Sequence, residues 1–204
     1  MKKFVITIAR GYGSGGRTIG RMLAEKLGVK YYDKDIIKMA SEDSGINESL
    51  FAQNDEKAQS IFKKPKVYSG KLIPPESSDF VSPQNLFAYQ AKAIKELAEK
   101  ESCIIVGRCG DYVLKGTEGL IRAFIWAEPK TCVENALRLN KFSTAEEAEK
   151  AIEKIDKERS AYYKQHTGHE WSDVRNYDLC LNTSELDFEK CVEILCDYIE
   201  IKAK

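Results

Sequence analysis

The chain has 204 residues, and 32 Lys and Arg are balanced by 32 Asp and Glu, so the formal net charge is zero. This length suits one domain with an ample core, and 43% hydrophobic with 31% charged residues describes an ordinary well-solvated globular protein. Charge balance argues against a dedicated nucleic-acid or anionic-membrane binder, which would carry a basic excess.

The apolar run from Phe4 ends at Arg10, short of the roughly 7–15 apolar residues at the centre of a secretory leader. No later run approaches the roughly 18 of a membrane span. Lys3–Ala9 instead predicts a nearly continuous apolar strand, suited to burial on both faces. Arg17–Leu27 follows as a helix with Ile19, Met22, Leu23 and Leu27 on one stripe, stopped by Gly28. Val29–Tyr32 predicts a second strand and Asp35–Ala40 a helix. From Ser41 to Ser82 the pattern dissolves into polar residues, Lys63-Lys64-Pro65 and Pro74-Pro75, which predicts a functional flap with some helix of its own.

Ser82-Pro83 is an N-cap followed by proline at the first helical position, opening a helix to Lys100. Ser102–Val106 and Leu120–Ala127 are the third and fourth strands, and Pro129–Leu139 is helical. Ser143-Thr144-Ala145-Glu146 fits a capping box for a helix through about Tyr163. Tyr177–Asn182 is a fifth strand, and Ser184-Glu185-Leu186-Asp187 starts the last helix. Strands alternating with helices predict one doubly wound α/β domain with a parallel sheet. The six cysteines contain no CxxC pair and fall mostly in apolar strands or on helix faces, as expected for thiols in a reducing cytoplasm. In that compartment the Asn-x-Ser triplets at Asn47 and Asn182 carry no meaning.

The segment Gly11-Tyr12-Gly13-Ser14-Gly15-Gly16-Arg17-Thr18 satisfies G-x-x-x-x-G-[K/R]-[ST], with arginine in place of the usual lysine. A buried strand precedes it and an amphipathic helix follows. In such a loop the backbone N–H groups of Gly11, Gly13, Ser14, Gly15 and Gly16 surround phosphate oxygens, aided by the helix N-terminus. Arg17 would supply charge to the β and γ phosphates, and the Thr18 hydroxyl would bind Mg²⁺. A glycine-rich strand-to-helix turn that binds nothing is the alternative. The loop also accounts for local charge: residues 1–30 hold seven basic side chains against the single acid Glu25.

With that loop, four stretches resemble the cytidylate kinase-like branch of the P-loop nucleoside monophosphate kinases. They are Ile6 through Arg17, Tyr31-Tyr32-Asp33-Lys34-Asp35, Ile104-Ile105-Val106-Gly107-Arg108, and Ile155-Asp156-Lys157-Glu158-Arg159 through Ser184. The resemblance implies a five-stranded parallel P-loop fold with a substrate flap at about 41–82 and a helical lid at about 143–176. It implies ATP and Mg²⁺ as cofactors and phosphoryl transfer to a small acceptor such as CMP; the charge balance and the short apolar runs already speak against nucleic acid and membrane as partners. By the same resemblance Arg17 and Arg159 are catalytic, and Asp33, Arg108 and Asp156 bind the acceptor. For Asp33 a cap or first-turn acid of the following helix is the competing reading; for Asp156 and Arg159 it is a solvated i, i+3 ion pair.

Departures from the family pattern bear on specificity. Val106 stands where cytidylate kinases carry Asp before Gly-Arg, and Ile152-Glu153 where they carry Arg-Asp. Asp111 is a possible displaced carboxylate. A non-nucleotide acceptor, or nucleotide binding without transfer, therefore stays open beside CMP. His166-x-x-His169 lacks a further ligand at metal spacing and is expected in a solvated turn. Trp171, Tyr162 and Tyr163 are expected to pack the lid helix against the body, with stacking on a base as the alternative.

Overall fold

In the computed structural model, which describes residues 2–57 and 67–203, the first apolar run forms β1 (Val5–Arg10), with all six residues buried. Its position explains the unbroken apolar pattern: β1 is the central strand of a five-stranded sheet in the order β2-β3-β1-β4-β5. Here β2 is Lys30–Tyr32, β3 Cys103–Val106, β4 Leu120–Trp126 and β5 Leu179–Asn182, and every pairing is parallel. The α/β P-loop architecture expected from the sequence is present.

Parallel neighbours require crossovers, which helices supply on both faces. On one face, Ile19 and Leu23 of α1 (Gly16–Leu27) and Leu195 and Ile199 of α8 (Phe188–Ala203) pack against Ile6, Ile8 and Ile104. On the other, Phe87 and Ile94 of α4 (Pro83–Lys100) and Tyr162 and Tyr163 of α7 (Ala145–Thr167) pack against Val5, Cys103 and Ile105. The alternation of Val5 with Ile6 between these clusters is the two-residue period of a strand. A third cluster, with Ile37, Phe51 and Leu86, joins α2 (Asp35–Ser44) and α3 (Glu48–Asn54) to α4. Two further helices, α5 (Gly110–Val113) and α6 (Pro129–Arg138), follow β3 and β4. Among the described residues no helix is long and apolar enough to cross a membrane.

Local chemistry sets the boundaries. Ser82 Oγ accepts from the Asn85 N–H, and Pro83 occupies the first turn of α4, as its sequence predicts. The capping box of α7 sits one residue later than expected: Thr144 Oγ1 accepts from Glu147 N, and the Glu147 carboxylate accepts from Ser143 N. This helix also runs four residues past Tyr163, to Thr167, where left-handed Gly168 closes it. Within the expected flap, α2 continues to Ser44 and α3 covers Glu48–Asn54. Farther on, the Asn85 side chain ties down the backbone of Ile73 and Phe80. Lys63, Lys64 and Pro65 lie outside the described residues.

Candidate active site

The glycine loop leaves the carboxyl end of β1, where ligands of such sheets collect. Gly13 and Gly15 take φ +79° and +81°, a left-handed backbone that side chains disfavour. The space is closed as well, since a Cβ on Gly13 would lie 2.5 Å from the Cys132 carbonyl oxygen. Ser14 Oγ donates to Gly11 O at 2.9 Å, Asn135 Nδ2 to Gly13 O at 2.8 Å and Thr183 Oγ1 to Ser14 O at 2.9 Å. The carbonyls are thus anchored by neighbouring side chains. At the start of α1 no side chain caps the N–H groups, and no acid occupies the first turn. A cavity of about 150 Å³ opens there, bordered by Gly13, Gly15, Gly16, Arg17, Thr18 and Arg159. An uncapped helix N-terminus beside an open cavity fits an anionic phosphate chain. Thr18 is exposed at this point, and among the described residues no three His, Cys, Asp or Glu side chains cluster as metal ligands.

After β3 the chain turns through three consecutive left-handed residues: Gly107 (φ +77°), Arg108 (+52°) and Cys109 (+54°). This turn directs Arg108 inward, where it is 1% exposed. Its guanidinium meets Asp33 at 3.2 Å and Asp55 at 2.8 Å. Asp33, itself buried, also pairs with Arg17 Nε at 2.8 Å, so it bridges the phosphate loop to Arg108. The N-cap of α2 is Lys34 without any side-chain cap bond; Asp33 is therefore no helix cap.

Arg10, the last residue of β1, grips Glu56 through two hydrogen bonds, of 2.5 and 3.0 Å. The same carboxylate accepts from Arg159 Nε and from the Arg108 N–H, each at 3.3 Å. Arg159 in turn donates to Asp156 at 3.1 Å and to the Arg10 carbonyl at 3.2 Å. Asp156 accepts from the Tyr12 N–H at 2.9 and 3.1 Å. The Asp156–Arg159 pair is thus a half-buried clamp between α7 and the loop, in contrast to the solvated pair that spacing alone allows. Four guanidinium groups and four carboxylates form two sets of ion pairs, Arg17–Asp33–Arg108–Asp55 and Arg10–Glu56–Arg159–Asp156, which the Arg108 N–H joins into one network at Glu56.

A second cavity, of only about 20 Å³, lies beyond this network and is bordered by Glu56, Gly107, Arg108, Asp111, Tyr162 and Trp171. Arg10 and Arg159 border both cavities. Burial opposes the charge on Glu56, but Arg10, Arg159 and Arg108 outweigh it and hold its carboxyl well below the usual range. Burial, then the neighbouring Arg10, lowers Arg159 from its ordinary value. Asp111 is pushed up by burial to about 6, although Tyr163 donates to it at 2.6 Å.

The structure brings the residues nominated from the sequence together around these two cavities: the loop from Gly11 to Thr18, except for buried Ser14, borders the larger with Arg159; Arg108 and Arg159 border the smaller; and Asp33 and Asp156 are joined to them by ion pairs. It adds Arg10, Asp55 and Glu56, together with the loop anchors Asn135 and Thr183, none of which the motif names. A charged residue closing a wholly buried strand was the available signal for Arg10. The expected turn around His166 is corrected by the longer α7. His166 is buried, stacked on Phe87 at 4.0 Å with rings 12° apart, while His169 is exposed. Burial lowers the His166 pKa to about 4. Tyr162 and Tyr163 do pack α7 against the body, and Trp171 meets Phe124 edge-on at 5.3 Å.

Residues 5–185 match the model of the cytidylate kinase-like family. The chain belongs to that family. A curated relative, the cytidylate kinase of Archaeoglobus fulgidus, is 28% identical over 204 residues, with 97% of this chain and 95% of the relative covered. Among solved structures, an uncharacterized protein from Eubacterium ventriosum superposes with a TM-score of 0.71 at 24% identity, covering 97% of this chain and 99% of that one. A shikimate kinase from Bacteroides thetaiotaomicron gives 0.55 at 16% identity, with 97% and 98% covered. These neighbours show the shared fold, and family membership supports a kinase-like function.

Proposed function

We propose that this protein is an ATP-dependent kinase of a small anionic acceptor, with a pyrimidine nucleoside monophosphate such as CMP as first candidate. The observation that carries the reading is the shared wall: Arg10 and Arg159 face both the phosphate-loop cavity and the smaller cavity around Arg108. Donor and acceptor phosphates placed on either side of two guanidinium groups would be aligned and neutralised together, which is most of what phosphoryl transfer asks of a protein. ATP, when bound, supplies the γ-phosphoryl group. The N–H groups of Gly13 through Arg17 would receive its phosphates, and Thr18 would hold Mg²⁺.

Arg17 and Arg159 offset the charge that develops during transfer, and carboxylates hold each in position: Asp33 for Arg17, Asp156 for Arg159. Arg108 supplies a guanidinium for a bidentate grip on the acceptor. The lid of this reading is the amino-terminal part of α7 with the segment before it, because Arg159, Tyr162, Tyr163 and His166 are buried in the body. The flap is the segment between α2 and α4. A coupled ADP-release assay with CMP, dCMP, UMP and AMP tests the proposal. ADP formed above the acceptor-free rate with one of them supports it, and none with any removes the nucleotide version.

A second acceptor class has its own observation. The cleft already accommodates a carboxylate, that of Glu56, and Val106 replaces the aspartate of cytidylate kinases. A hydroxy acid that yields ADP where nucleotides do not would decide for this class.

A further inference from the structure

The Glu56 carboxylate accepts four N–H bonds, two from Arg10, one from Arg159 and one from the Arg108 backbone. Few groups bind a carboxylate or phosphoryl oxyanion better than convergent guanidinium and backbone N–H donors. The surroundings are built rather than incidental. Arg10 is 3% and Arg159 8% exposed, and the Arg159 charge, disfavoured by burial and by Arg10, is favoured by the Glu56 carboxylate. Gly107, left-handed, lets that anion approach, since a Cβ there would overlap both Glu56 and Arg10.

Two further observations separate this arrangement from an ordinary structural ion pair. Of the four non-glycine residues with positive φ among those described, three are Glu56, Arg108 and Cys109. Backbone strain of this kind collects at ligand sites. Moreover Arg10 Nε, Arg108 Nε and Tyr162 Oη, in residues that border the small cavity together with Glu56, are buried without partners, whereas most buried polar groups in proteins are paired. With Glu56 in place, three buried donors of the lining residues thus stay unused.

We infer that Arg10, Arg159 and the Arg108 N–H form an oxyanion subsite for the charged group of the acceptor, and that Glu56 is its internal occupant. A phosphoryl or carboxylate group entering the small cavity takes the place of Glu56 by exchange of one anion for another, with no covalent step. Glu56 precedes the exposed Lys57, so its departure frees the backbone there. The inference rests on the kinase reading only for the identity of the ligand as acceptor; the subsite and its occupant are testable without turnover.

The test is calorimetric titration of inorganic phosphate, and separately of acetate, into the whole protein and its variants. Glu56→Gln is expected to bind phosphate at least tenfold more tightly than the wild type. Glu56→Asp, which keeps the charge and shortens its reach, should fall between them. The double variant with Arg10→Gln should lose the gain; a gain that survives it arises at the phosphate loop and overturns the inference, as does equal affinity in wild type and Glu56→Gln. Tighter phosphate than acetate indicates a phosphoryl acceptor, and the reverse a carboxylate. A readout on the wild type guards against variants that fail to fold: phosphate, against chloride at equal ionic strength, should accelerate tryptic cleavage after Lys57 severalfold. Unchanged or slower cleavage would overturn the inference. Absence of ADP release with these results intact would remove the kinase reading alone.

Discussion

Acidifying the protein should weaken the attachment of α7 through a single buried ring. His166 stacks on Phe87 and meets Tyr162 edge-on at 4.6 Å, and burial lowers its pKa from 6.5 to about 4. The protonated form is therefore disfavoured in the fold. Its contribution is complete above 6.5 and is lost as pH falls towards 4, about 3 kcal/mol in all. Between pH 7 and pH 5 the loss is about 2 kcal/mol. Asp111 acts in the opposite direction: burial raises it from 3.8 to about 6, so the stability it contributes below 3.8 is lost as pH rises through 6. The wild-type curve alone would hide both effects. The decisive comparison is with His166→Phe, which keeps an aromatic ring on Phe87 and removes the titration. Urea unfolding at pH 7 and pH 5 should show the wild type losing about 2 kcal/mol more than the variant. Identical pH dependence in the two would refute the reasoning.

Gly13→Ala places a methyl 2.5 Å from the Cys132 carbonyl oxygen at φ +79°; fluorescent-nucleotide titration should show ATP binding weakened at least tenfold, about 1.4 kcal/mol. Arg17→Lys replaces a two-nitrogen hold on Asp33, at 2.8 and 3.3 Å, with a point charge that cannot reproduce it. Steady-state kinetics should show a several-fold rise in acceptor KM with ATP KM within twofold; an equal rise in both would count against Asp33 as the positioning partner.

Much of this fold is legible because its signals are local. The run from Val5 to Ala9 and the glycine spacing after it are short-range patterns, and they specify strand, loop and helix without distant contacts. Asp55 and Glu56 offer no such signal. They lie in a stretch without periodicity, and they acquire meaning only when folding brings them to Arg10 and Arg108, 46 and 53 positions away. His166 was obscured differently: Gly168 marks the true end of α7, but the helix reads as finished at Tyr163, which turns a core histidine into a surface one. Asn135 and Thr183 are ordinary polar residues until the crossovers place them beside the loop.

Those two anchors have a consequence for where the nucleotide-binding capacity of this chain resides. The eight-residue motif belongs to the first tenth of the polypeptide, yet its carbonyls are tied by Asn135 and Thr183 and its Tyr12 amide by Asp156. All three belong to the second half. A fragment or graft that carries the motif without α6, α7 and the end of β5 would possess the letters and lack the shape. During synthesis on the ribosome, the loop would be completed only once residue 183 has emerged, so nucleotide capture would report nearly complete assembly of the chain.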